Sequence, residues 1–107
     1  MEAQDNAAVL DHYHDNAVLW PTLSDTLRTS RETISDYFSH FLPKIAGPVQ
    51  WDHSVYQPID DTHVIWSGTY TFQLVSGPTT ARFTYGLTYD NGRWTIYHHH
   101  SSLLPTL

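Results

Sequence analysis

Near Gly47-Pro48 the hydrophobic period of the chain changes, and this change limits the possible folds more than any other feature. Before it, apolar residues recur at helical spacing; after it, they alternate. Ile34, Tyr37, Phe38, Phe41 and Leu42 repeat at i, i+3, i+4, i+7 and i+8, and Thr29 and Glu32 have capping-box spacing. A helix over 30–42 is therefore predicted, ended by Pro43. A shorter helix is expected over 6–14, with Asn6 as its cap and Val9, Leu10 and Tyr13 on one face. Asp15-Asn16 reads as a turn, Ala17 to Trp20 as a brief strand stopped by Pro21, and 21–30 as a connecting loop. Strands are expected near 49–57, 62–75, 80–89 and 93–101. Helices first and a sheet second indicate an α+β domain, a curved antiparallel sheet with helices across its concave face.

Asn91-Gly92 is a two-residue hairpin signal that requires positive φ at both positions, so it also sets the register. It puts Tyr89 opposite Trp94, Leu87 opposite Ile96, Tyr85 opposite His98 and Phe83 opposite His100, all on one face if no bulge intervenes. Arg82, Thr84, Thr88, Thr95, Tyr97 and His99 then share the other face, with Arg82 across from Ser101. In the preceding strand Val64, Trp66, Tyr70, Phe72 and Leu74 form the apolar face, and Trp51, His53 and Val55 make the same choice earlier.

Composition narrows the function. A chain of 107 residues fits one domain, and a content of 15 aromatic residues means that large rings must fill the core. A formal charge of −6 with only five basic residues argues against nucleic acid and against an anionic membrane surface. The lack of cysteine removes thiolate nucleophiles, disulfides and thiolate metal sites. No apolar run approaches the roughly 20 residues of a membrane span and no signal peptide is visible, so a cytoplasmic protein is expected.

The segments PTLSDTLRTSRETISDYFSHFL and ARFTYGLTYDNGRWTIYHHHSSLLP resemble the SnoaL-like and calcium/calmodulin-dependent protein kinase II association-domain group of the nuclear transport factor 2-like superfamily. The resemblance spans about 8–105 and is most specific at Asp90, Gly92, Trp94, His99, His100, Ser101, Ser102 and Pro105. It implies a cone-shaped domain with a strongly bent sheet around a helix, a pocket between them, and homodimers or larger rings. It also implies a longer amino-terminal helix than the twelve residues before Tyr13 can form, hence a missing or shortened lid that leaves the pocket more open or requires a partner chain to cover it. The superfamily includes isomerases, cyclases, dehydratases, binding domains and assembly domains, so fold does not identify reaction.

Eight histidines are many for this length, and the simple register gathers His53, His98 and His100 on the apolar face. Three imidazoles could hold zinc or supply a base, but hydrogen-bonded neutral rings packed among Phe83 and Tyr85 account for them more simply. No metal and no cofactor is expected. Tyr13, Trp66 and Tyr85 complete the expected ligand-binding set, with Arg82 added because the resembling kinase domains hold a carboxylate with pocket arginines. Arg28 reads as a solvated side chain. The carboxylates fall mostly in turns, and none pairs persuasively for acid–base work. The expectation is thus a small-molecule-binding, self-associating domain, a homodimer through the face around Thr84, Tyr97 and His99. The alternative is a lyase or isomerase using His98 or His100 as base and Tyr85 or Tyr13 as donor to an oxyanion.

Overall fold

The computed structural model describes residues 6–22 and 26–105, except the side chains of Asn6 and Ala7. Its elements in chain order are α1 (Asn6–Leu10), β1 (Tyr13–Trp20), α2 (Arg31–Phe41), β2 (Gln50–Asp60), β3 (His63–Leu74), β4 (Gly77–Asp90) and β5 (Arg93–Leu103). A 3-10 turn over Leu42–Lys44, with Pro43 inside it, follows α2. The strands form one curved, unclosed sheet in the order β1-β5-β4-β3-β2. The architecture is α+β as expected, with one difference: β1 joins β5 in parallel, so the sheet is mixed. Among the described residues no helix is long and apolar enough to cross a membrane.

Helix α2 forms where the apolar repeat lies, and it buries Ile34, Phe38 and Phe41 against the inner face of the sheet. Phe41 meets Phe72 edge-on, with ring centroids 5.2 Å apart. The cap is Ser30 rather than Thr29. Its hydroxyl accepts from the Thr33 amide at 3.2 Å, and the Thr33 hydroxyl accepts from the Ser30 amide at 3.1 Å, so Thr33 replaces Glu32 in the capping box.

The amino-terminal helix is shorter than the spacing predicts. Val9 and Tyr13 are both buried, as a common face requires, yet the helix stops at Leu10. The Ile96 amide donates to the His12 carbonyl at 2.8 Å, and Tyr13 aligns with Ile96, so sheet pairing captures the last turn of the expected helix. A turn this short has little stability of its own to resist that pairing. The Asn6 side chain, expected as its cap, lies outside the described residues.

At the final hairpin Asn91 and Gly92 have φ of 52° and 80°, and Tyr89–Trp94 and Leu87–Ile96 pair as the two-residue loop dictates. One residue later the register changes. Gly86 pairs with His98, leaving Tyr97 as an inserted residue, and from there Tyr85 faces His99, Phe83 faces Ser101 and Arg82 faces Ser102. The expected Tyr85–His98 and Phe83–His100 pairs are thereby corrected: His99 turns inward, and His98 and His100 turn outward and are exposed. A similar irregularity lies in β2, where Trp51 faces Tyr70 but His53 faces Thr69. Asp52 is the extra residue, so His53 and Val55 leave the inner face and Tyr56, opposite Trp66, joins it. Gly68 lies beside the β2 irregularity and Gly86 beside the β5 one, where a strand needs room for a displaced backbone.

Candidate functional site

Between α1 and the far end of the inner sheet face lies an open cleft of about 330 Å³. Strand β2 supplies Trp51, β3 Trp66, β4 Tyr85 and Leu87, and β5 Trp94, Thr95 and Ile96; Val9, His12 and Tyr13 close the amino-terminal side. The walls are stacked rings. Trp66 lies parallel to Tyr56 with centroids 5.2 Å apart, and its centroid is 4.8 Å from Trp51 and 5.3 Å from Tyr85. Among the described residues no carboxylate lines this cleft, and His12 is the one imidazole that does. The Trp66 indole Nε1 and the Thr95 hydroxyl are buried without a hydrogen-bond partner among the described residues. Unpaired buried donors are costly to the fold.

Behind the cleft the inward turn of β5 creates a buried polar chain. His99 Nδ1 is 2.8 Å from the Tyr13 hydroxyl, and its Nε2 is 3.1 Å from the Tyr70 hydroxyl. Tyr70 donates to Ser101 Oγ at 2.6 Å, and Ser101 Oγ bonds the Thr22 hydroxyl. Tyr85 covers the imidazole, with centroids 4.1 Å apart and planes 22° from parallel. Burial lowers the His99 pKa to about 3, and the neighbouring imidazoles of His98 and His100 add to the shift. Burial also raises the Tyr13, Tyr70 and Tyr85 hydroxyls well above their ordinary range, so all three stay protonated.

A second, polar cleft of about 220 Å³ adjoins the first and shares Tyr13 and Thr95 with it. Its ion pairs, Arg31–Asp15 at 3.4 Å and Arg93–Asp11 at 3.5 Å, involve carboxylates that are largely in solvent, so they contribute little to stability.

Among the residues singled out in the sequence, Tyr13, Trp66 and Tyr85 line the aromatic cleft. His53, His98, His100 and Arg82 do not: the two irregularities leave the three histidines on the outer side, and Arg82 is exposed there too. His53 on β2 is separated from the β5 histidines by two intervening strands. Among the described residues no group of three metal-ligating side chains is placed to hold an ion. Arg28, expected in solvent, instead pairs with Asp36 at 3.0 Å and lies 6.0 Å from the Tyr37 ring centre. The sequence reading missed His99, which bonds two tyrosines, and His12, Leu87, Trp94 and Ile96 as cleft residues. The interior glycine at 86 was the available signal for His99, since glycine within a strand often marks a bulge.

The model of the SnoaL-like domain family matches residues 1–106. A protein of Xanthomonas campestris named for the calcium/calmodulin-dependent protein kinase II association domain is 32% identical, with a TM-score of 0.87 over 97% of this chain and 77% of its own. A nuclear transport factor 2-like protein of Shewanella oneidensis is 16% identical, with a TM-score of 0.77 over 92% of this chain and 84% of its own. A ketosteroid isomerase-like protein of Erwinia carotovora is 14% identical, with a TM-score of 0.74 over 96% and 84%. The last two likenesses, at such identities, establish the fold alone. No curated protein matches the chain.

Proposed function

The chain belongs to the SnoaL-like domain family, and from that membership we propose a binding and self-association domain whose aromatic cleft holds a small, flat, uncharged molecule. The observation that carries this reading is the cleft lining itself: among the described residues it has three indoles and no carboxylate. Flat rings gain both burial and stacking there. A charged guest would lose hydration without a counter-charge from the described wall residues. Catalysis by the buried imidazole is poorly supported, because His99 does not line the cleft and a base with pKa near 3 is far from the pH 7 optimum for proton abstraction.

Trp51 is 47% exposed, so its removal should alter the cleft without unfolding the domain. Trp51→Ala is expected to weaken binding of 2-naphthol by about tenfold, the effect of losing one stacked ring and its burial. Isothermal titration with melting temperature measured in parallel checks this. Unchanged affinity in a folded variant would refute the cleft as the binding place.

The second half of the proposal is a homodimer through the outer face of the sheet. Trp20, Val55 and Tyr97 stand 42%, 54% and 50% exposed on that side. Along β4 its outward positions Thr80, Arg82, Thr84, Gly86 and Thr88 carry one charge, so two copies of a −6 chain meet here with least repulsion. The expected contact keeps Thr84 and Tyr97 but loses His99, which faces inward. Light scattering should give twice the 12.3 kDa chain mass, falling to one chain in Tyr97→Glu. The same mass for both proteins would exclude this surface.

A further inference from the structure

We infer that the buried chain from Thr22 to Tyr13 is polarised so that Tyr13 presents a hydrogen-bond acceptor, and that the cleft selects a ligand bearing a hydroxyl or N–H donor. The ligand half of this inference rests on the binding reading of the cleft; the polarity half stands on the hydrogen bonds alone.

The direction follows from counting protons. Tyr70 has one hydroxyl hydrogen, and it is committed to Ser101 Oγ at 2.6 Å. At its second contact, 3.1 Å from His99 Nε2, the Tyr70 oxygen must therefore accept, which puts the imidazole proton on Nε2. A neutral imidazole carries only one N–H, so Nδ1 holds a lone pair. The Tyr13 hydroxyl, 2.8 Å away, donates to it. Full burial and the stacked Tyr85 ring keep His99 neutral, so no second ring proton is available to reverse this end of the chain. Tyr13 has then spent its only hydrogen, and what remains on its oxygen is lone pairs. Tyr13 also forms part of the cleft wall.

A ketone or ether oxygen brought against Tyr13 would meet lone pair with lone pair. To donate outward, Tyr13 would need a concerted reversal: Ser101 donating to Tyr70, Tyr70 to Nε2, and the imidazole proton moved to Nδ1. The site thus distinguishes a phenol or alcohol from its methyl ether. A hydroxyl-bearing aromatic can satisfy the Tyr13 acceptor, whereas a hydrocarbon cannot.

Two measurements test the inference. Nitrogen-15 imidazole spectra of the wild-type protein at neutral pH should show the His99 proton on Nε2, and a proton on Nδ1 would overturn the polarity. Titration should show 2-naphthol binding about three- to tenfold more tightly than 2-methoxynaphthalene, the range expected for one neutral hydrogen bond. Tyr13→Phe should abolish that preference, so that the two compounds bind within about twofold of each other. Equal or reversed affinities in the wild type would overturn the ligand class and leave the cleft reading intact. Failure of both compounds to bind would instead overturn the cleft reading, and with it the ligand class.

Discussion

Gly68→Ala is expected to destabilise the fold by about 3 kcal/mol or more, the upper range for forcing atoms into filled space. A Cβ at this position would lie 1.8 Å from the His53 carbonyl oxygen and 2.7 Å from the Ser54 Cα. Both are backbone atoms, so no side-chain rotation relieves the clash. Gly68 is not in the left-handed region, which makes the requirement one of space rather than torsion. The chain is this close because the extra residue at Asp52 displaces β2 toward β3, and the strand that would have to retreat carries Trp51 of the cleft. Gly86→Ala is the natural control. Its new Cβ would approach the His98 Cβ to 3.3 Å, a contact relieved by a small shift, so a cost within about 1 kcal/mol is expected. Urea unfolding of the two variants should separate them clearly; similar midpoints would show that the β2 irregularity is not packed as described.

The second large effect is a loss of stability in mild acid. His99 has a folded pKa of about 3 against 6.5 for an ordinary histidine. The unfolded chain therefore takes up a proton below pH 6.5 that the folded chain refuses until about pH 3. Above pH 6.5 this group leaves stability unchanged, and below it stability falls as pH falls, reaching a loss of about 2 kcal/mol by pH 5. Glutamine at 99 retains one donor and one acceptor but does not titrate. His99→Gln should thus show a shallower decline in unfolding free energy between pH 7 and 5 than wild type, by about that 2 kcal/mol. Parallel declines would mean that the imidazole is accessible to protons in the folded state.

The parts of the fold visible in the sequence were those written in local patterns. The spacing of Ile34, Phe38 and Phe41 marked α2, alternation from Val64 to Leu74 marked the inner face of β3, and Asn91-Gly92 fixed the hairpin as far as Leu87 and Ile96. Beyond that point parity failed, because an inserted residue moves every later side chain to the other face without changing the composition. The run His98, His99, His100 gave no apolar contrast from which the shift could be noticed, and His53 with Val55 imitated an inner-face pattern in β2. Gly68 and Gly86 were the visible traces of both irregularities. The parallel pairing of β1 was less accessible still: Tyr13 meets Ile96 across more than eighty residues, and local helical spacing at Val9 and Tyr13 pointed elsewhere. The aromatic half of the candidate site was therefore foreseeable, whereas the inward histidine depended on a single inserted residue.

The claim that a flat uncharged molecule occupies the inner cleft is tested most directly by intermolecular nuclear Overhauser effects between 2-naphthol and methyl-labelled protein. The account predicts contacts to the methyls of Val9, Leu87 and Ile96, which line the cleft. Contacts to Val18 and Val55, which lie on the outer side of the sheet, or no contacts at saturating naphthol, would contradict it.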